Sequence, residues 1–334
     1  MDRSPVLVTG AAGFIGYHVA ATLLERGESV AGIDNLNDYY DVGLKHARLE
    51  RLSAFPGFTF ERRDLTAFEA ISALFERVRP RIVVHLAAQA GVRYSIDNPR
   101  AYSSANLDGF LSILEACRAV PPSHLIYASS SSVYGTNTKV PFSEDDPVLQ
   151  PVSLYAASKR ANELMARAYA HLYRLPASGL RFFTVYGPFG RPDMAYYSFT
   201  QAIAEGRPID LYNEGRMLRD FTYVDDVVSG ILALFDHPPS KSGRAEVDEG
   251  GAPHAIYNIG NNEPVELQRF VAAIENALGR KASRNLLPMQ PGDVPATFAD
   301  ISRLARVTGF RPHTSIEDGL TRFVDWYRAY HRTA

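Results

Sequence analysis

Val6-Leu7-Val8-Thr9-Gly10-Ala11-Ala12-Gly13-Phe14-Ile15-Gly16 runs from a short apolar, β-rich segment into a glycine-rich turn and on into a helical pattern. The spacing Gly-x-x-Gly-x-x-Gly is one residue longer than the common dinucleotide fingerprint. Gly10 permits a tight turn, Gly13 lets backbone amides approach a pyrophosphate, and Gly16 allows close packing of helix on strand. A glycine-rich turn between any strand and helix is common. Here strand, turn and helix all fall where a dinucleotide site requires them, which assigns Gly10, Ala12, Gly13, Phe14, Ile15 and Gly16 to the cofactor.

The same alternation continues through the first half of the chain. Strand-like runs at 6–9, 29–33, 58–61, 81–86, 124–128 and 177–183 are separated by helical patterns at 13–26, 67–78, 106–119 and 155–173. Strands alternating with helices predict a parallel sheet covered on both faces, and right-handed crossovers make it a doubly wound, Rossmann-type α/β fold. Beyond residue 187 the pattern is irregular and richer in Pro, Gly and Arg, with helices at 198–205, 224–236, 267–278 and 316–330. The expected division is a Rossmann domain over residues 1–186, to which 224–260 return. Residues 187–334 form a smaller, interleaved α/β substrate-binding region. Residues 35–40 and 238–253 read as surface loops.

The later strand ends carry residues suited to the same cofactor. Asp34 closes the second strand where an acidic residue binds the adenosine ribose hydroxyls, with Asn35 beside it. A carboxylate there repels a 2′-phosphate, so NAD is favoured over NADP. Asp64-Leu65 follows the third strand toward the adenine, and Leu86-Ala87-Ala88 offers small residues where backbone passes the cofactor. In Tyr155-Ala156-Ala157-Ser158-Lys159, tyrosine and lysine share one helix face. The Lys159 ammonium there favours the phenolate, lowers the tyrosine pKa from about 10, and makes Tyr155 a general base for an alcohol or sugar hydroxyl. Leu164, Ala168 and Leu172 continue the helix with an apolar stripe. An isolated Tyr-x-x-x-Lys also fits an ordinary helix with a packed tyrosine and a solvated lysine.

Composition narrows the alternatives. At 334 residues with 46% apolar and 22% charged residues, the chain has the material for a substantial soluble core. A net charge of −2 gives no broad electrostatic attraction to nucleic acid or an anionic membrane. The single cysteine, Cys117, leaves no intramolecular disulfide or cysteine-based zinc site, and no metal is expected. No run of about 18 apolar residues occurs, and Met1–Pro5 leads into a strand without a signal-like segment, so cytoplasm is the expected location.

With these residues in place the chain resembles the extended short-chain dehydrogenase/reductase family. The glycine turn, Asp34, Asp64, Leu86-Ala87-Ala88, Asn106, a serine-rich strand end and Tyr155/Lys159 follow in the family's order. The resemblance implies tightly held NAD, contacted also by Asn106 and Val185. It implies a sugar-nucleotide substrate and homodimers built through the helices at 106–119 and 155–173. It assigns Tyr155 as base, Lys159 as its pKa partner and nicotinamide-ribose ligand, and Ser130 as the third catalytic group. Within the family, several strings are similar to UDP-glucuronate 4-epimerases. They include Ala87–Ser95, Leu180–Pro188, Gly190–Tyr196, Arg219–Asp226 and residues 292–297.

Related dehydratases and UDP-glucuronate decarboxylases carry carboxylates beside the catalytic hydroxyl. Here the strand end is Ser129-Ser130-Ser131-Ser132-Val133-Tyr134-Gly135, with hydroxyls alone. Hydroxyls donate to a substrate carboxylate without adding repulsive charge, so Ser130, Ser131, Ser132 and Thr184 are expected to hold the glucuronate carboxylate. Thr184 stands where glucose epimerases usually carry Asn. Ser129 reads as a strand-end residue satisfying its own backbone. Arg191 and Arg219 are expected on the UDP diphosphate, Asp293 on the uridine ribose, and Arg93 near the sugar. Gln290 stands where glucose epimerases often carry Arg. His85 reads as a core residue without a role. The implied reaction is 4-epimerisation of UDP-glucuronate to UDP-galacturonate through a 4-keto sugar. UDP-glucose or UDP-N-acetylhexosamine 4-epimerisation, and UDP-glucuronate decarboxylation, are the alternatives.

Overall fold

A computed structural model describes residues 4–243, 245, 247–289 and 296–332. Strands β1 (Val6–Thr9), β2 (Val30–Asp34), β3 (Phe58–Arg62), β4 (Ile82–His85), β5 (His124–Ser130) and β6 (Ala177–Phe182) pair in parallel. The chain crosses between them through helices α1 (Phe14–Glu25), α2 (Val42–Ser53) and α3 (Phe68–Val78). Short helices α4 (Tyr94–Asp97) and α5 (Pro99–Tyr102), a π turn (Ser103–Asp108), α6 (Gly109–Ala119) and α7 (Leu154–Tyr173) complete the crossovers. Every residue of β1 and β4 is buried, as strands covered on both faces require. The amphipathic α3 turns Ile71, Leu74 and Phe75 inward.

The remaining elements are strands β7 (Thr184–Tyr186), β8 (Ile209–Tyr212), β9 (Leu218–Tyr223), β10 (His254–Ile259), β11 (Pro264–Glu266), β12 (Arg284–Leu287) and β13 (Ala296–Thr297). Between and after them lie helices α8 (Ala195–Ala204), α9 (Val224–Ala233), α10 (Leu267–Leu278), α11 (Ser302–Thr308) and α12 (Ile316–His331). β10 joins the first sheet beside β6, giving the order β10-β6-β5-β4-β1-β2-β3, while β7, β11 and β13 pair with β9 in a second sheet. Among the described residues no helix is long and apolar enough to cross a membrane.

Three expectations need correction. The strand expected at 177–183 ends one residue earlier, at Phe182, where Phe183 donates its amide to the Ile259 carbonyl at 3.2 Å, and the following β7 belongs to the second sheet. The helix expected from 106 begins as a π turn at Ser103. Helix α2 was not foreseen at all. Asp41 caps it by accepting from the Gly43 amide at 2.8 Å, and it buries Leu44, Lys45, Arg48, Leu49 and Leu52. Its helical period emerges only when two cations are counted with the core, which hydropathy reading does not do.

A buried network ties the sheet to α7. Glu163 takes the Ser129 hydroxyl at 2.6 Å and the Arg181 guanidinium at 2.9 and 3.0 Å, with Arg160 at 2.9 Å. Thus Ser129 bonds a carboxylate rather than its own backbone. On the sheet, burial holds His85, His124 and His254 far below the ordinary value of 6.5: His85 to about 3, with the Lys159 charge adding to it, His124 to about 3 and His254 to about 4. All three are neutral in the fold, so the stability they contribute is complete above about pH 6.5. It is lost as pH falls toward 4, because the unfolded chain then binds protons that the folded chain refuses. Urea midpoints measured from pH 7 to pH 5 are expected to fall, each histidine adding up to about 1.4 kcal/mol per pH unit below 6.5.

Candidate active site

The carboxyl ends of β1, β2, β4 and β5 open on one cleft of about 680 Å³, which also takes in Thr184 and Val185 of β7 and Arg191. At its floor the glycine turn is pulled tight. Gly10 has φ +72° and its amide donates to the Ile33 carbonyl at 2.8 Å, while the Gly13 amide returns to the Gly10 carbonyl at 2.8 Å. A β-carbon on Gly10 would lie 2.8 Å from the Ala87 nitrogen, and one on Gly16 would run into the Gly10 carbonyl. The close approach is therefore of turn to the β4 loop and of helix to its own turn. Gly13 caps α1 without a side-chain bond, and the first turn of α1 has no acidic residue. A helix N-terminus of this kind suits a pyrophosphate.

The adenosine side is built from Asp34, Asn35, Asp64 and Leu65, all of which line the cleft. Asp34 receives the Leu36 amide at 2.8 Å. Asn35 donates to Asp64 at 2.9 Å, and burial of the Asp64 carboxyl is outweighed by this bond and those from Thr66, holding it below its ordinary range. Lys45 of α2, which the sequence did not reveal, also lines this wall and donates to Asn37 at 2.7 Å. These residues fit NAD. Two assigned residues do not reach the cleft. Ala12 is fully buried and gives its carbonyl to Arg48 at 2.7 Å. Asn106 spends its amide group on the Gln89 backbone at 2.8 and 3.1 Å and on Ser158 at 2.9 Å, so it braces the loop after β4 against α7.

At the centre stand Tyr155, Lys159 and Ser130. Ser153 caps α7 by accepting from the Ala156 amide at 3.1 Å, which sets Tyr155 in the first turn. Ser130 stands close enough to the phenol to act on its pKa. Lys159 is buried and donates to the Ala128 carbonyl at 2.8 Å. The expected lowering of the Tyr155 pKa by Lys159 is not what the site shows. Burial raises the phenol above its ordinary 10, and Ser130 and the Arg191 charge only partly offset it. Burial likewise draws Lys159 down to about 8, with Glu163 opposing.

Ser131 and Ser132 open a 3-10 turn at the end of β5 and face the cleft beside Ser130, with Thr184 across from them in the lining. Leu86, Ala87 and Ala88 line the cofactor side, and exposed Arg93 lies at the rim. Arg191 enters the cleft paired with Asp193 at 3.0 and 2.5 Å. Arg219 does not line the cleft and donates to the Leu218 carbonyl at 2.9 Å. Asp293 and Gln290 lie outside the described residues. His85 is buried on β4, bonded to Thr9 at 2.8 Å, as expected of a core residue. An aromatic wall went unnoticed in the sequence. Tyr39 donates to Asp193 at 3.1 Å and packs on Tyr94, while Tyr102 lies edge-on to Tyr155. These rings are far apart in sequence and carry no local signal.

The comparisons agree with this geometry. Residues 6–260 match the model of the NAD dependent epimerase/dehydratase family. The chain is 53% identical to protein CapI of Staphylococcus aureus over 98% of this chain and 99% of that protein. It is 50% identical to a probable UDP-glucuronate 4-epimerase of Rhizobium meliloti (strain 1021) over 98% of each chain. Among solved structures, UDP-glucuronic acid 4-epimerase from Bacillus cereus, in complex with UDP-glucuronic acid and NAD, superposes with a TM-score of 0.87 at 32% identity over 98% of this chain and 99% of that one. With a family model spanning the cofactor turn, the catalytic helix and the returning strand β10, the chain belongs to the NAD dependent epimerase/dehydratase family.

Proposed function

We propose that the chain is an isomerase that converts UDP-glucuronate to UDP-galacturonate by NAD-dependent epimerisation at C4. The observation that carries this reading is the rim around Tyr155. Ser130, Ser131, Ser132 and Thr184 present hydroxyls in one cleft with the Tyr155/Lys159 pair, and the carboxylate nearest Arg191, Asp193, is already neutralised by it. In this reading residues 1–186, with 224–260, hold the cofactor, and residues 187–334 hold the UDP-sugar.

NAD, held by the glycine turn, Asp34 and the loop after β4, would accept and return the hydride and, when oxidised, add positive charge to the cleft. Tyr155 takes the proton of the 4-hydroxyl and Ser130 relays or orients it. Lys159, anchored on Ala128, holds positive charge beneath the pair. The 4-keto sugar is a β-keto acid, which loses CO2 when its carboxylate stands perpendicular to the carbonyl plane. The three serines and Thr184 hold that carboxylate in an unreactive orientation while the sugar turns about its diphosphate. Arg191, which lines the cleft and whose charge acts on the phenol, takes the UDP diphosphate.

Purified protein given UDP-glucuronate is expected to form UDP-galacturonate, followed by NMR, with no net NADH. CO2 and UDP-pentose as main products would sink the carboxylate-holding reading. Tyr155→Phe is expected to lower kcat by about 10²- to 10⁴-fold without loss of fold. Ser131→Ala, Ser132→Ala and Thr184→Val together should turn UDP-pentose from a trace into a main product.

The protein acts in this reading as a cytoplasmic homodimer. The apolar stripe along α7 faces solvent: Leu164 is 53% and Leu172 66% exposed, with Tyr173 and Leu111 of α6 also exposed. Such an apolar face on adjacent helices suits a second copy. Leu164→Glu with Leu172→Glu is expected to give monomers by light scattering, where the unaltered chain gives dimers.

A further inference from the structure

Arg48 of α2 is fully buried, yet among the described residues every hydrogen-bond partner of its guanidinium is neutral. An arginine in this position is costly, because desolvation of the charge is not offset by a carboxylate. Its partners explain why one stands there. One arm donates to the Ala12 carbonyl, on the cofactor turn, and to the Tyr40 hydroxyl, each at 2.7 Å. The rest of the fork reaches the Phe189 carbonyl at 3.1 and 2.5 Å and the Gly190 carbonyl at 3.4 Å.

That second segment is the loop leaving β7, and it is strained. Gly187 has φ +148° and Phe189, a bulky residue, has φ +56°, a left-handed conformation costing about 1–2 kcal/mol. The Phe189 ring is held between Tyr17 and Trp326, at 5.0 and 4.9 Å. The preceding carbonyl, Pro188, is bonded to the His18 ring of α1 at 2.8 Å. Three successive carbonyls of the loop are therefore gripped by side chains from the cofactor half. Two residues beyond Phe189 comes Arg191, whose charge acts on Tyr155.

We propose that Arg48 is a positioning residue that couples the two halves of the site, fastening the cofactor turn at Ala12 to the strained loop at Phe189 and Gly190 and so fixing where Arg191 stands over the sugar. This rests on the function proposed above. Its charge, set behind the N-terminus of α1, also adds to the field that attracts the cofactor pyrophosphate. Lysine keeps the charge but cannot bridge both segments, whereas glutamine loses both.

The test compares Arg48→Lys and Arg48→Gln with the unaltered holoenzyme. Arg48→Lys is expected to raise KM for UDP-glucuronate by about tenfold with kcat nearly unchanged and NAD affinity largely kept. Arg48→Gln is expected to weaken NAD binding by about tenfold as well. A folded Arg48→Lys protein with unchanged KM overturns the coupling, as does a fall in thermal stability alone with normal kinetics of the surviving enzyme. If Arg48→Gln does not fold, Arg48→Lys decides the matter. If the unaltered protein leaves UDP-glucuronate unchanged, the functional reading fails instead, and NAD affinity in the two variants still judges Arg48.

Discussion

The buried ammonium of Lys159 dictates how α7 lies on the sheet. A cation removed from water must find an acceptor, and this one finds the Ala128 carbonyl near the end of β5. One residue further along the strand, Ser129 is bonded to Glu163, a single turn beyond Lys159 on the same helix. Helix and strand are thereby gripped at two successive residues. The next residue, Ser130, has no freedom to drift from Tyr155, and the phenol, the hydroxyl and the ammonium share one fixed geometry. The charge of Glu163 is itself balanced by Arg181 on β6, so three elements are locked by one ionic chain.

That lock lies in the first sheet, while the sugar side of the cleft depends on the second. The chain passes between them at Phe183, where β6 ends and β7 begins to pair with β9. Thr184 and Val185 consequently line the cleft from a different sheet than the serines opposite. An arrangement split in this way needs ties across the split. Arg48, His18 and the Tyr39–Asp193 bond all cross it, and all reach the short segment 188–193.

The sequence was most readable where chemistry is local. The glycine turn, Asp34, and the Tyr155/Lys159 pair each declare themselves within a few residues, and the structure brings them into one cleft. What stayed hidden depends on long-range burial. Helix α2 was missed because its inward face carries Lys45 and Arg48, residues that hydropathy assigns to solvent. Ala12 and Asn106 were assigned to the cofactor by their place in a motif, yet one is turned to Arg48 and the other to Gln89 and Ser158. The tyrosine pKa was misjudged for a similar reason. Spacing reveals a cation four residues away, but not the desolvation that raises the phenol, nor that the opposing charge is Arg191.

That last discrepancy has mechanistic content. Burial holds the Tyr155 phenol above its ordinary pKa, so the protein's own groups do not favour the phenolate at neutral pH. The cation acting on it from the sugar side, Arg191, has its charge balanced by Asp193. Conversion to phenolate is therefore favoured by added positive charge, which oxidised NAD would supply when bound. A base that is weak until the hydride acceptor is present cannot strip a sugar hydroxyl with nowhere to send the electrons. The hydroxyl-lined rim applies the same restraint to the far end of the sugar. In the proposed reaction Ser130, Ser131, Ser132 and Thr184 would bind the carboxylate by donation and bring no carboxylate of their own to its side, which favours return of the hydride.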